Sequence, residues 1–392
     1  MDRRSFVALA GAAAVGLAGC TDRAAPATDT TETADGTRVR VESVVTGLSS
    51  PWAVAPLPDG RALVTEQGGR LVIADPESGE RTEVPGAPEV FARGQGGLLD
   101  ATLAADFPDS RLVYLTYSVS GDGGSSTRVG RGRLDGERLA DFEPLYTARP
   151  FVRSSGHYGS RVVDDGDHLF VTVGDRQFKD FGPDHVGQTL DDDLGSVLRL
   201  GRDGTVPDDN PFADREGASD AVYSYGHRNP QGLALRANGA LWESEFGERA
   251  GDELNVVEAG ANYGWPVADE GCRYGTNDPV GVPHDEREDV VGPVYSWPCG
   301  GEAGGFPPSG MTFYDGDALS AWDGDLFVGG LASQYLARFT VEGEGQDAVV
   351  TERSPLLADR GWRVRDVAVG ADGALLAVVD AGDAPLVRLS PA

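Results

Sequence analysis

From about Val45 to Leu389 the apolar residues of this chain come in short, β-branched runs interrupted by Gly and Pro, a pattern of strands and tight turns. No stretch sustains a 3.6-residue apolar period between recognisable caps, so little helix is expected. A turn signal recurs ahead of the apolar runs: Pro58-Asp59-Gly60, Pro108-Asp109-Ser110, Asp164-Asp165-Gly166, Ala237-Asn238-Gly239, Trp322-Asp323-Gly324 and Ala371-Asp372-Gly373. Each is predicted to precede an apolar strand, such as Arg61 to Thr65, Leu112 to Tyr117, His168 to Val173 or Leu375 to Val379. Centred on residues 59, 109, 165, 238, 323 and 372, the six units are spaced by 50, 56, 73, 85 and 49 residues. Units of about 50 residues, rich in short strands, suit propeller blades, and longer spacings imply insertions in loops on one face. The predicted fold is all-β, a six-bladed β-propeller of four-stranded blades.

The ends of the chain follow other patterns. Arg3-Arg4, an apolar run from Phe6 to Leu17 and then Leu17-Ala18-Gly19-Cys20 read as a Tat-type signal ending in a lipobox, with Cys20 as the lipidated residue. The apolar run is too short to span a bilayer permanently. Residues 21–37, rich in Thr, Ala and Asp without aromatics, suit a flexible tether. Three parts are therefore expected: signal peptide 1–20, linker 21–37 and propeller 38–392. The protein would be exported and lipid-anchored on the extracellular face of the cytoplasmic membrane.

Charge changes the picture of habitat and partners. The formal net charge is -30, from 63 acidic and 33 basic residues, and only Lys179 among the basic residues is a lysine. Such acidity with arginine in place of lysine points to an extreme halophile, because molar salt screens repulsion to within about 3 Å. It argues against a nucleic-acid partner, which needs a basic surface. With Cys20 assigned to the anchor, Cys272 and Cys299 remain. In an exported chain they suggest one disulfide; two free thiols or metal ligation are the other readings.

Candidate chemistry gathers in a few motifs. Gly226-His227-Arg228-Asn229-Pro230-Gln231-Gly232 is a loop stiffened by Gly and Pro that can aim a guanidinium and a carboxamide at one ligand. Around it in the sequence lie Gly94-Gln95-Gly96-Gly97-Leu98-Leu99, His157-Tyr158-Gly159-Ser160-Arg161, Trp242-Glu243-Ser244-Glu245-Phe246-Gly247, Gly251-Asp252-Glu253-Leu254-Asn255 and Asn262-Tyr263-Gly264-Trp265-Pro266. His157, in a Gly-flanked turn, is a candidate general base because imidazole titrates near neutrality. In Trp362-Arg363-Val364-Arg365, strand alternation puts Arg363 and Arg365 on one face. Dinucleotide, P-loop, HExxH and GxSxG motifs are absent, which disfavours nicotinamide enzymes, nucleotidases, zincins and α/β-hydrolases.

Together these motifs resemble the soluble quinoprotein sugar dehydrogenases, the glucose and sorbosone dehydrogenase family that uses pyrroloquinoline quinone (PQQ) and calcium. The likeness runs from about Val45 to Leu389, in a secreted lipoprotein of haloarchaeal type. It implies a six-bladed propeller that oxidises an aldose at its anomeric carbon to the lactone, with hydride transfer to calcium-bound PQQ and electrons leaving to an external acceptor. By resemblance His157 is the base, Gln95 lies near the substrate hydroxyl, and Arg228, Asn229, Arg363 and Arg365 contact the quinone. The carbonyls of Gly247 and Glu248 would hold the calcium that also ligates PQQ. Glu253 and the Tyr263 carbonyl resemble a second, structural calcium position, with Asp252 assisting. Trp297 and the Gly300 to Pro308 loop are expected to border the sugar.

Two departures from the family pattern stand out. Where relatives carry a cofactor-contacting lysine, this chain reads Gly329-Gly330-Leu331-Ala332-Ser333-Gln334, and the residue before the base is Gly156 where some glucose enzymes have aspartate. The alternative function is a noncatalytic extracellular propeller that binds carbohydrate or protein with the same face. A propeller glycosidase or lactonase is a third reading, requiring a carboxylate pair or a metal-bound water.

Overall fold

The computed structural model describes residues 28–33, 36–300 and 305–392. The signal peptide, Cys20 and the first part of the tether lie outside the described residues. Five antiparallel four-stranded sheets span residues 51–83, 98–147, 162–225, 230–297 and 308–352. The sixth combines Val364–Val369, Leu375–Val379 and Ala384–Pro391 with Arg38–Leu48 from the start of the chain. Each innermost strand touches the next, from Pro51–Pro56 around to Val364–Val369 and back, which closes a six-bladed ring. Pairing of Arg38–Leu48 with Ala384–Pro391, with Val41 opposite Leu389, locks that ring.

Each turn signal found in the sequence sits between the first and second strand of a blade. The reason is local: Asp59, Asp165, Asn238 and Asp372 each accept a backbone N–H two residues on through Oδ1, so the side chain itself builds the turn. Asp109 differs, lying in Phe107–Ser110, the one α-helix among the described residues. The stretch expected to be wholly a tether contains a strand, Thr28–Glu32, which adds a fifth member to the closing sheet by pairing with Arg38–Leu48. Its polar composition carries no strand signal, and the open edge of the neighbouring strand supplies the pairing.

Between the blades lie apolar clusters that include Trp242, Trp322, Tyr314 and Phe327. On the axis the filling is ionic. Arg161 Nη1 lies 3.0 Å from Asp100 Oδ1 and 3.1 Å from Asp366 Oδ1, and its guanidinium stacks on Trp52 at 4.2 Å. Arg161 Nε donates to the Gln231 carbonyl, while Asp366 and Asp100 accept the N–H groups of Val54 and Val162. One buried guanidinium thus joins five of the six blades.

Candidate active site

In an antiparallel blade the start of the first strand and the end of the second lie on the same edge. Gln95, His157, Arg228 and Arg363 precede first strands, whereas Asp175, Gly247, Ala332 and Asp380 follow second strands. The topology therefore gathers them at one face, opposite the Asx turns. There they surround a cavity of about 670 Å³ lined by Gln95, His157, Arg228, Gly247, Glu248 and Arg363, among others.

His157 is held in the left-handed region, φ 46°, a conformation rarely adopted by a residue with a Cβ. Two contacts fix it: its N–H donates to Gln95 Oε1 at 2.7 Å, and its Nδ1 lies 2.6 Å from Asp175 Oδ1. Asp175 also accepts from the Gln177 N–H and from Trp265 Nε1. Burial opposes ionisation of Asp175, yet His157, with the nearby Arg228 and His185, holds its carboxyl below the usual carboxylate range. Burial, aided by the charge of Arg228, pushes the His157 imidazole below its ordinary value against the pull of Asp175. A neutral ring with Nδ1 bound to a carboxylate leaves Nε2 as the basic atom.

A Cβ on Gly156 would lie 2.3 Å from Gln177 Cδ, so Gln177 fills the space where some relatives place an aspartate. Asp175 and Gln177 were not picked out from the sequence. The available signal was Val173-Gly174-Asp175, a carboxylate just past a strand end in the blade whose entry loop carries His157.

Cations surround the cavity in two clusters. Arg228 Nη2 donates to Glu248 Oε2 at 2.7 Å, Lys179 pairs with the same carboxylate, and the Arg228 guanidinium lies 5.1 Å from the Trp265 ring. Two blades on from Arg228, Arg363 Nε and Nη2 and Arg365 Nη2 all donate to Asp380 Oδ2, at 3.0, 2.9 and 3.0 Å. Each cluster sets two cations against one carboxylate and so carries about one net positive charge. In a chain of net charge -30 these clusters give the cavity local positive charge. Among the described residues Arg228 Nε and Asn229 Nδ2 are buried donors without an acceptor.

The other expected residues sit farther back. Asn229 is fully buried behind the wall, where its Oδ1 accepts the Gly159 N–H and so braces the His157 turn. Arg365 is also withdrawn, donating through Nη1 to Gln231 Oε1. Gly247 and Glu248 line the cavity beside Asp252, whose carboxyl burial pushes up to about 6 and which accepts the Gly247 N–H. This set of hard oxygens fits calcium. At the inferred second calcium position His284 Nε2 stands 3.1 Å from the Tyr263 carbonyl and 3.9 Å from Glu253 Oε1. Trp297 is corrected as a substrate contact: it is buried in the core, stacked on Phe306 at 4.6 Å. Cys272 and Cys299 form a disulfide in the loops flanking the cavity mouth, where Tyr274 stands exposed.

Comparisons with known proteins agree with this architecture. Residues 48–388 match the glucose/sorbosone dehydrogenase family. The aldose sugar dehydrogenase YliI of Escherichia coli is 39% identical over 362 residues, covering 90% of this chain and 93% of that protein. The crystal structure of the soluble aldose sugar dehydrogenase from Escherichia coli in its apo-form superposes with a TM-score of 0.82 at 38% identity, covering 90% of this chain and all of that one. The PQQ-bound aldose sugar dehydrogenase from Streptomyces coelicolor gives a TM-score of 0.69 at 28% identity, covering 94% and 98%. On sequence and architecture alike, the chain belongs to the glucose/sorbosone dehydrogenase family.

Proposed function

We propose that this protein is a PQQ-dependent aldose dehydrogenase that oxidises the anomeric carbon of a sugar to the lactone. The observation that carries the proposal is the His157–Asp175 dyad on the wall of a cavity flanked by two cation-rich clusters. When bound, PQQ with a calcium ion would supply the electrophile for the hydrogen and two electrons leaving the anomeric carbon, with an external acceptor as the final destination of the electrons. His157 Nε2 takes the proton of the anomeric hydroxyl. Asp175 keeps Nδ1 protonated and stabilises the imidazolium that results. Gln95, whose carbonyl oxygen is committed to the His157 N–H, has its amide N–H groups left to orient the sugar hydroxyl. Arg228 and Arg363 would recognise the carboxylates of the quinone, with Arg365 holding Asp380 and Asn229 bracing the loop behind, and the carbonyls of Gly247 and Glu248 would hold the calcium.

One feature favours a noncatalytic carbohydrate- or protein-binding propeller: Ala332 lines the cavity and carries no charge. A pure binder, however, gains nothing from a base held by a buried carboxylate. Reconstitution separates the two. Residues 21–392, in molar salt with Ca²⁺ and stoichiometric PQQ, are expected to reduce a dye in response to aldoses, and His157→Ala to abolish this. Folded protein with no sugar-dependent reduction across a panel of aldoses would refute the dehydrogenase.

We further propose that the chain is exported through its twin-arginine signal, anchored by lipid on Cys20, and adapted to high salt. The twin arginine, the lipobox-like sequence and the net charge of -30 support this reading. Cys20→Ser should move the protein from the membrane fraction to the medium; retention at the membrane would count against the anchor.

A further inference from the structure

Of 33 basic residues only Lys179 is a lysine, and it lines the cavity. It follows the second strand of the third blade, in the loop that also holds Asp175 and Gln177. Its side chain is about half exposed, and its ammonium pairs with Glu248, whose carboxylate is almost fully buried. Glu248 does not need this partner for neutrality, because Arg228 already supplies a cation at 2.7 Å. The second cation leaves the cluster with a surplus positive charge facing the cavity.

Lysine also differs from arginine in what it can reach. An ammonium is a compact charge with three donors on a flexible stem, whereas a guanidinium is a rigid fork. Arg228 is such a fork, pinned by Glu248, the Phe246 carbonyl and the Trp265 ring. Lys179 keeps donors beyond its Glu248 contact. Ala332, on the fifth blade, borders the same cavity with a methyl group.

The geometry points to Lys179 as a cofactor-binding residue, its ammonium pairing with a carboxylate of the tricarboxylate quinone and supplying from the third blade the charge that Ala332 lacks. This assignment rests on the quinone reading above. Glu248 holds the ammonium at the rim, so that the residue whose carbonyl is assigned to calcium also positions a cation for the organic anion.

The test is a binding titration, read from quenching of tryptophan fluorescence as PQQ is added with Ca²⁺ in molar salt. Lys179→Ala should weaken binding about ten- to a hundredfold, the loss expected for one charge-assisted contact. It should melt like the parent, since the side chain is half exposed. Adding Ala332→Lys to Lys179→Ala should recover most of the affinity, which a merely structural role for Lys179 would not predict. Unchanged affinity in both Lys179→Ala and Lys179→Gln, with the parent binding normally, would overturn the assignment and leave the quinone reading intact. Failure of the folded parent to bind PQQ would overturn both.

Discussion

His157 Nδ1 and Asp175 Oδ1 are 2.6 Å apart, and both residues are buried, so the ring orientation and its tautomer are set by one carboxylate. Replacing Asp175 by Asn keeps the shape but removes the charge. It also allows the ring to present the wrong nitrogen to the cavity. Asp175→Asn should lower kcat by about 10²- to 10⁴-fold, the scale typical of losing an oriented base, with little change in quinone affinity. Parallel steady-state kinetics and PQQ titration check this, and a loss confined to binding would contradict the role of Asp175.

The His157 imidazole is pushed below its ordinary value of 6.5 by burial and by Arg228. A base works only when unprotonated, so lowering its pKa extends activity toward acid. The acid limb of kcat/KM should have its midpoint below 6.5, and replacing Arg228 by a neutral residue should move it upward. A midpoint above 6.5 would mean that the attraction of Asp175 outweighs burial.

How much of this could be read from the sequence depended on the range of the interaction. Asp59, Asp165, Asn238 and Asp372 announce their blades because each bonds its own backbone two residues on. Arg363 and Arg365 were legible through strand alternation, and both reach Asp380 Oδ2. Asp175 was not legible, because its link to His157 exists only once antiparallel strands bring two loops to one edge. Trp297 misled for the opposite reason: an aromatic beside a Gly-rich loop looks like a sugar platform until Phe306 folds over it.

Arg161 offers a test of the ring itself. Its guanidinium faces Asp100 and Asp366, with burial pushing the Asp366 carboxyl up to about 6. Removing the cation leaves two buried carboxylates facing each other. Arg161→Ala should destabilise the fold by about 3–5 kcal/mol, as for other broken buried ion pairs, measured by denaturant unfolding in molar salt. A change below about 1 kcal/mol, within the range of surface pairs, would show that the axis does not depend on this pin.

Asp269 gives a pH test with a definite sign. Burial pushes its carboxyl up to about 8, while the Gly271 N–H donates to Oδ1 at 2.5 Å. Between the unfolded value near 4 and the folded value near 8, the native state holds a proton that the unfolded chain has released. The stabilisation is therefore full below pH 4 and is lost as pH rises through 8, by about 1.4 kcal/mol per unit at most. Asp175, Glu248 and Asp380, with lowered values, contribute in the opposite direction, so the total curve does not isolate Asp269. The difference between parent and Asp269→Asn does, because the amide can still accept from Gly271 but cannot ionise. The stability of Asp269→Asn should gain on the parent as pH rises from 4 to 8, and parallel curves would place the proton elsewhere.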